Sequence, residues 1–216
     1  MSKRESATRL LVATHNPGKM REYRELLAPL PAGISFPAVL GIHLRIRETG
    51  VTYAENARLK ATSYAQSSGL LTLADDSGLE VDALAGAPGL HSARYVSGTD
   101  LDRVQALLKN LQGVPWAQRT ARFRCVIAIV TRDNQVYEAE GVCEGIIAYE
   151  RAGEEGFGYD PIFYLPEYGL TMAQVPRETK NRISHRARAV RAAMPTLRRL
   201  LGEDGFSRAG SRTVSP

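Results

Sequence analysis

Short apolar runs, separated by stretches with helical spacing, set the fold this chain can reach. Arg9-Leu10-Leu11-Val12-Ala13, Leu70-Leu71-Thr72-Leu73-Ala74 and Phe123 to Val130 read as buried strands. Met20, Tyr23, Leu26, Leu27 and Leu30 recur near the helical period. Leu101, Val104, Leu107, Leu108 and Leu111 form a second stripe, which predicts a helix over residues 99–111. Such mixing points to an α/β domain with a mixed central sheet flanked by helices.

The intervening segments fill in the order. Pro17-Gly18 marks a turn before the first helix, and a strand is expected around Val39 to Ile46. Thr52-Tyr53-Ala54-Glu55 has the form of a capping box and starts a helix running to about Ser68. Asp133-Asn134 suits a hairpin turn into a strand from Val136 to Val142. Glu150 to Gly158 reads as a glycine-containing loop, and Pro161 to Leu165 as a short strand. Ile183, Ala187, Val190, Met194, Leu197 and Leu201 share one helical face, with Pro195 expected to kink or restart that helix. The reading is one domain over residues 1–202 and a disordered tail, rich in Gly, Ser and Arg, over 203–216.

Composition narrows the function classes. The chain has 216 residues, enough for the core of a full α/β domain. No apolar run approaches bilayer-spanning length and no signal-peptide pattern opens the chain, so no membrane and a cytoplasmic address are expected. Cys125 and Cys143 sit among apolar neighbours without zinc spacing and read as buried, reduced thiols. Net charge is +5, but residues 177–216 hold ten Lys and Arg against three Asp and Glu. That segment therefore carries +7 and leaves −2 on residues 1–176. A basic excess confined to one end argues against a dedicated nucleic-acid surface.

Four segments carry chemistry. Thr14-His15-Asn16-Pro17-Gly18-Lys19 joins a strand to a helix, where backbone N–H groups and the helix dipole favour an anion. It lacks Walker A spacing, and a plain capped helix would look the same. Asp75-Asp76-Ser77-Gly78 places two carboxylates at the end of an apolar strand, where open α/β sheets bind ligands, although the same residues make a good turn. Gly156-Phe157-Gly158-Tyr159-Asp160-Pro161 could offer an aromatic face to a planar base, or bury both rings in a Gly-rich turn. In Lys180-Asn181-Arg182-Ile183-Ser184-His185-Arg186, Arg186 could donate to purine N7 and O6, against the alternative of solvated charge.

Together these segments resemble the inosine triphosphate pyrophosphatase family, whose bacterial members are dITP/XTP pyrophosphatases. The likeness runs from about Leu10 to Leu200 and includes Glu48-Thr49-Gly50, Glu55 to Ala61, Gly86-Ala87-Pro88-Gly89 and Ser92-Ala93-Arg94-Tyr95. It implies an elongated, bilobed α/β fold with a long mixed sheet and an active-site cleft between lobes. It also implies a homodimer and Mg²⁺-dependent cleavage of a purine nucleoside triphosphate to monophosphate and pyrophosphate. By resemblance, Thr14, His15, Asn16, Pro17, Gly18 and Lys19 hold the triphosphate, and Lys60 adds a phosphate contact. Glu48 and Asp76 hold the metal with Asp75 close by. Asp76 is the proton acceptor and Ser77 an adjoining substrate contact. Phe157, Gly158, Tyr159, Asp160, Lys180, His185 and Arg186 surround base and sugar. The chain departs from the pattern at His15, often Gly or Asn; at His91, often aromatic; at Ala187, often Gly; and at Pro176. Competing readings are a pyrophosphatase for other modified nucleotides and a nucleotide- or nucleic-acid-binding module without catalysis.

Overall fold

A computed structural model of the chain describes residues 9–202. The N-terminal eight residues and the expected tail at 203–216 lie outside the described residues. Seven strands, β1 (Arg9–Val12), β2 (Gly33–Ser35), β3 (Leu71–Val81), β4 (Thr120–Val130), β5 (Val136–Ile147), β6 (Phe163–Leu165) and β7 (Leu170–Thr171), form one sheet. Their order is β2-β1-β3-β4-β5-β6-β7. β1 runs parallel to β2 and β3, and every pairing from β3 to β7 is antiparallel. The expected mixed sheet is therefore present.

Among the described residues five α-helices flank it: α1 (Pro17–Leu26), α2 (Tyr53–Ser68), α3 (Asp100–Asn110), α4 (Arg177–Ile183) and α5 (His185–Leu200). Alternation along β1 divides the layers. Leu10 and Val12 pack with Tyr23 of α1, with Leu27 at its C-cap and with Val190 and Leu197 of α5, whereas Leu11 and Ala13 pack with Ala57, Ala61 and Tyr64 of α2. A further core gathers Leu79 and Val81 of β3, Phe123 of β4, Ile147 of β5, and Val104 and Leu107 of α3. The long strands β3 and β4 thus run from one hydrophobic lobe into another. Among the described residues, no helix is long and apolar enough to cross a membrane.

Several local expectations change. Val39 to Ile46 forms no strand: Pro37–Leu40 is a 3-10 turn that ends at Gly41 with φ 66°, and β2 lies earlier, at Gly33–Ser35. Residues 42–50 still alternate in burial but pair with no strand. Pro17 and Gly18 are the first helical residues of α1, with the Asn16 side chain accepting from Lys19 N at 3.0 Å. Pro195 does not restart α5, which runs continuously through it; the break falls at Ser184, which caps α5 through Ala187 N. β5 extends past Val142 to Ile147, and β6 starts at Phe163 behind a 3-10 turn over Asp160–Ile162.

The largest correction concerns Asp75-Asp76-Ser77-Gly78. The strand does not end at Ala74, nor does it turn there. It continues to Val81, with Asp75 opposite Ile127 and Asp76 opposite Val126 in β4. Pairing along the whole of β4 overrides the local turn preference.

Candidate active site

β1 stops at Val12, opposite Leu73, and Ala13 N makes the last bond across, to Leu73 O at 2.7 Å. β3 runs on without that neighbour, and the next bridge on this side joins Glu80 to Pro88. The cleft opens at this gap as a cavity of ≈ 640 Å³ lined by Asp75, Asp76, Ser77 and Gly78. Gly78 is required by close approach: a Cβ there would lie 2.2 Å from the Gly89 carbonyl oxygen and 2.6 Å from Tyr53 Oη.

Successive strand residues face opposite ways, and that divides the acid pair. Asp75 turns to the α1–α5 face, where Lys19 Nζ lies at 2.9 Å and Arg186 Nη2 at 3.3 Å. Cys125 Sγ donates to the same carboxylate at 3.7 Å. Burial pushes the Asp75 carboxyl up, but Lys19 and Arg186 outweigh it and hold the group far below the usual carboxylate range. Asp76 turns to the α2 face, where Lys60 Nζ stands at 3.2 Å and Asn56 Nδ2 donates at 3.1 Å. Lys60 also meets Glu48 Oε1 at 2.8 Å, and Arg94 Nη1 donates to Glu48 Oε2 at 3.1 Å. Burial raises Asp76, and the Glu48 charge adds to that against the pull of Lys60. Lys60 itself is held charged despite burial, because Asp76, Asp75 and Glu48 surround it. Lys60 thus stays protonated between Glu48 and Asp76.

Glu48 and Asp76 are the two carboxylates that could hold a metal. The expectation that Asp75 stands with them changes, since Asp75 occupies the opposite face of β3 in pairs with Lys19 and Arg186. Among the described residues no group of three or more His, Cys, Asp or Glu converges as a metal cluster. The donor set nevertheless fits a hard divalent cation. Both carboxylates share Lys60, Arg94 reaches only Glu48, and Mg²⁺ takes one or two carboxylates with waters and phosphate oxygens.

The other end of the cleft is built from the segment before β6 and the start of α5. Lys180 Nζ bridges Asp160 at 2.5 Å and Glu22 at 2.8 Å. Burial raises the Glu22 carboxyl, but Arg186 and Lys180 overcome it and bring the group down to about 2. Burial lifts Asp160 above its ordinary value even beside Lys180, so Glu22 is the firmly ionised partner. Arg186 is 1% exposed; Nη1 pairs with Glu22, and Nη2 reaches Asp75 and also Ser77 Oγ at 3.0 Å. A direct donation from Arg186 to a purine edge would need that network to open. His185 stacks on Phe123 at 4.7 Å between ring centroids, and burial together with the Arg186 charge keeps it neutral. Its Nδ1 has no partner among the described residues.

Phe157 lies over the N-terminus of α1, with Lys180 Nζ at 5.1 Å and Arg186 Cζ at 5.8 Å from its ring centre. Gly18 permits this, because a Cβ there would come within 2.5 Å of the ring. Phe157 N donates to Asp160 and Gly158 N to Asp100. Tyr159 is buried and its hydroxyl donates to the Ser92 carbonyl, so that ring belongs to the core that shapes the pocket. Thr14, His15, Asn16 and Lys19 line the cleft, whereas Pro17 and Gly18 set the start of α1 behind them.

Glu22, Asn56, Tyr64 and Arg94 are site neighbours that sequence reasoning did not single out. Glu22 stands one helical turn beyond Lys19, a spacing that could have flagged it. Asn56 and Arg94 lie inside the matching stretches.

A sequence profile of the Ham1 family matches residues 10–196. A protein named dITP/XTP pyrophosphatase from Desulforamulus reducens is 49% identical over 194 residues, covering 89% of this chain and 96% of that protein. Its namesake from Bacillus subtilis is 44% identical over 183 residues, covering 84% and 92%. Among solved structures, a HAM1 protein from Coxiella burnetii matches with a TM-score of 0.80 at 39% identity, covering 89% of this chain and 99% of that one. The Ham1 protein of Staphylococcus aureus matches with a TM-score of 0.78 at 37% identity, covering 91% and 100%.

Proposed function

The chain belongs to the Ham1 family, and from that premise we propose that its cleft hydrolyses non-standard purine nucleoside triphosphates, dITP, ITP and XTP, to monophosphate and pyrophosphate. Its relatives' names support the substrate class. The observation that carries the chemistry is the meeting of Glu48 and Asp76 on one side of β3 with Lys19 and Lys60 at the same cleft.

Glu48 and Asp76 hold Mg²⁺, which when bound offsets the charge of the triphosphate. Lys19, the backbone at the start of α1 and Lys60 receive the phosphates. Asp76 accepts the proton of the attacking water. The water oxygen bonds to the phosphorus next to the ribose, the bond to the β-phosphate oxygen breaks, and pyrophosphate leaves. Asp75 stays ionised and fixes Lys19 and Arg186 in place.

Discrimination against adenine rests on His185. Burial and the Arg186 charge keep the imidazole neutral at the cleft, and a neutral imidazole has one N–H to offer a keto oxygen at C6. Adenine presents a donor there and leaves a buried group unpaired, at a cost of roughly 1–3 kcal/mol. The enzyme acts as a homodimer, which light scattering checks as twice the chain mass.

The test is a pyrophosphate-release assay across nucleoside triphosphates, with and without Mg²⁺. We expect turnover of dITP, ITP and XTP only with the metal, and near-total loss in Asp76→Asn with nucleotide binding kept. Orthophosphate as the first product, or dATP and dGTP cleaved as fast as dITP, overturns the reading.

A further inference from the structure

One face of α2 presents three polar side chains spaced by four residues: Asn56, Lys60 and Tyr64. Each clamps the extended segment 44–50 and also a second part of the site. Asn56 Oδ1 accepts from Gly50 N at 2.8 Å while its Nδ2 donates to Asp76. Lys60 joins Glu48 to Asp76. Tyr64 Oη donates to the Leu44 carbonyl at 3.1 Å and lies 2.8 Å from His15 Nε2. The segment belongs to no strand ladder, so these bonds from α2 stand where ladder bonds would.

One hydrogen count satisfies both contacts of Tyr64 at once. A phenol has one proton and the Leu44 carbonyl can only accept, so the proton lies on that arm. In that arrangement His15 Nε2 carries its own hydrogen toward Tyr64 Oη, the Nε2–H tautomer that the test below reads out. Tyr64 is 3% exposed and packs among Leu11, Ala61 and Ala65, so the phenol is a rigid reference point.

We propose that Tyr64 is a positioning residue that sets the spacing between the phosphate loop at His15 and the segment carrying Glu48, so that nucleotide and metal meet in register. The inference rests on the pyrophosphatase reading of the same cleft. It reaches beyond that reading by assigning a role to Tyr64, which itself touches no reacting atom, and to His15, where this chain departs from the resemblance.

The test uses full-length Tyr64→Phe, His15→Gln, His15→Gly and the double variant Tyr64→Phe/His15→Gly. In Tyr64→Phe, we expect KM for dITP and the Mg²⁺ concentration at half-maximal rate each to rise about two- to tenfold, the loss of one hydrogen bond. Melting temperature stays near the wild-type value, and amide exchange quickens at residues 43–47 but not along α2. On KM, the double variant equals the worse single variant, because both changes break one relay. His15→Gln, which keeps a donor near the Nε2 position, recovers most of the loss seen in His15→Gly. In metal-free protein, the His15 ring nitrogens report a single Nε2–H form that becomes a mixture in Tyr64→Phe. Unchanged KM and metal requirement, strict additivity, or a general loosening of α2 with a lower melting temperature overturns the proposal. Absence of turnover in the wild type would sink the enzymatic reading alone. The ring spectrum and the exchange at 43–47 then decide the relay, and no change in either overturns it.

Discussion

Lys60, Lys180 and Arg186 each bridge two carboxylates, so removing one acid still leaves its cation a partner. That arrangement makes Glu22 testable without leaving a bare buried charge. Its carboxyl falls from an ordinary 4.5 to about 2, so its stabilisation is complete above pH 4.5 and is lost as pH drops toward 2. Glu22→Gln should cost roughly 1.5–3 kcal/mol at neutral pH, the scale of hydrogen bonds to charged groups. The melting temperature of the variant should also decline less steeply than wild type between pH 4.5 and 2. Parallel slopes would show that the lattice holds without it. The acid pair itself was legible as residues, since Asp75-Asp76 stands out against apolar neighbours. Its division into Asp76 at Lys60 and Asp75 at Lys19 was not, because only the pleat of a continuous strand sends the two apart.

β3 explains why elements were easier to place than their ends. Its apolar start at Leu71 to Ala74 reads as strand from any window, while Asp75 to Gly78 reads as turn until β4 supplies a partner for every residue. Residues 42–50 show the opposite case: Ile42, Leu44 and Ile46 alternate like a strand and pack on the α2 core, yet no neighbour pairs with them. Helix α1 offers a prediction of its own. Gly18→Ala should favour the helix by up to about 1 kcal/mol through propensity. The added Cβ, at 2.5 Å from the Phe157 ring, must push that ring aside. The expected result is an unchanged or slightly raised melting temperature with a several-fold higher KM for dITP. An unchanged KM would remove Phe157 from base binding.

Across the whole molecule, the cleft lies where one face of β3 passes from the core of Leu71 and Leu73 to the core of Leu79 and Val81. Asp75 and Ser77 take the positions between them on that face, and Arg186 ties the pair together. A ligand held by the loop before α1, by α2 and by the start of α5 contacts several separate elements and stabilises the folded state by mass action. A non-hydrolysable ITP analogue at a hundred times its Kd should add about 2.7 kcal/mol, read as a raised melting temperature. An ATP analogue at the same concentration should add much less, and equal shifts would count against selection at C6. By itself the sequence determined the α/β class, the positions of α2 and α3, the buried thiols and the segments that carry chemistry, because apolar periodicity and capping are local properties of the chain. Tertiary structure alone decided that β3 runs through the acids, that β1 stops short to open a cleft beside them, and that Glu22 and Tyr64 join the site. Those outcomes depend on which backbone pairs with which, and on side chains brought together from distant parts of the chain, as when Glu22 meets Arg186.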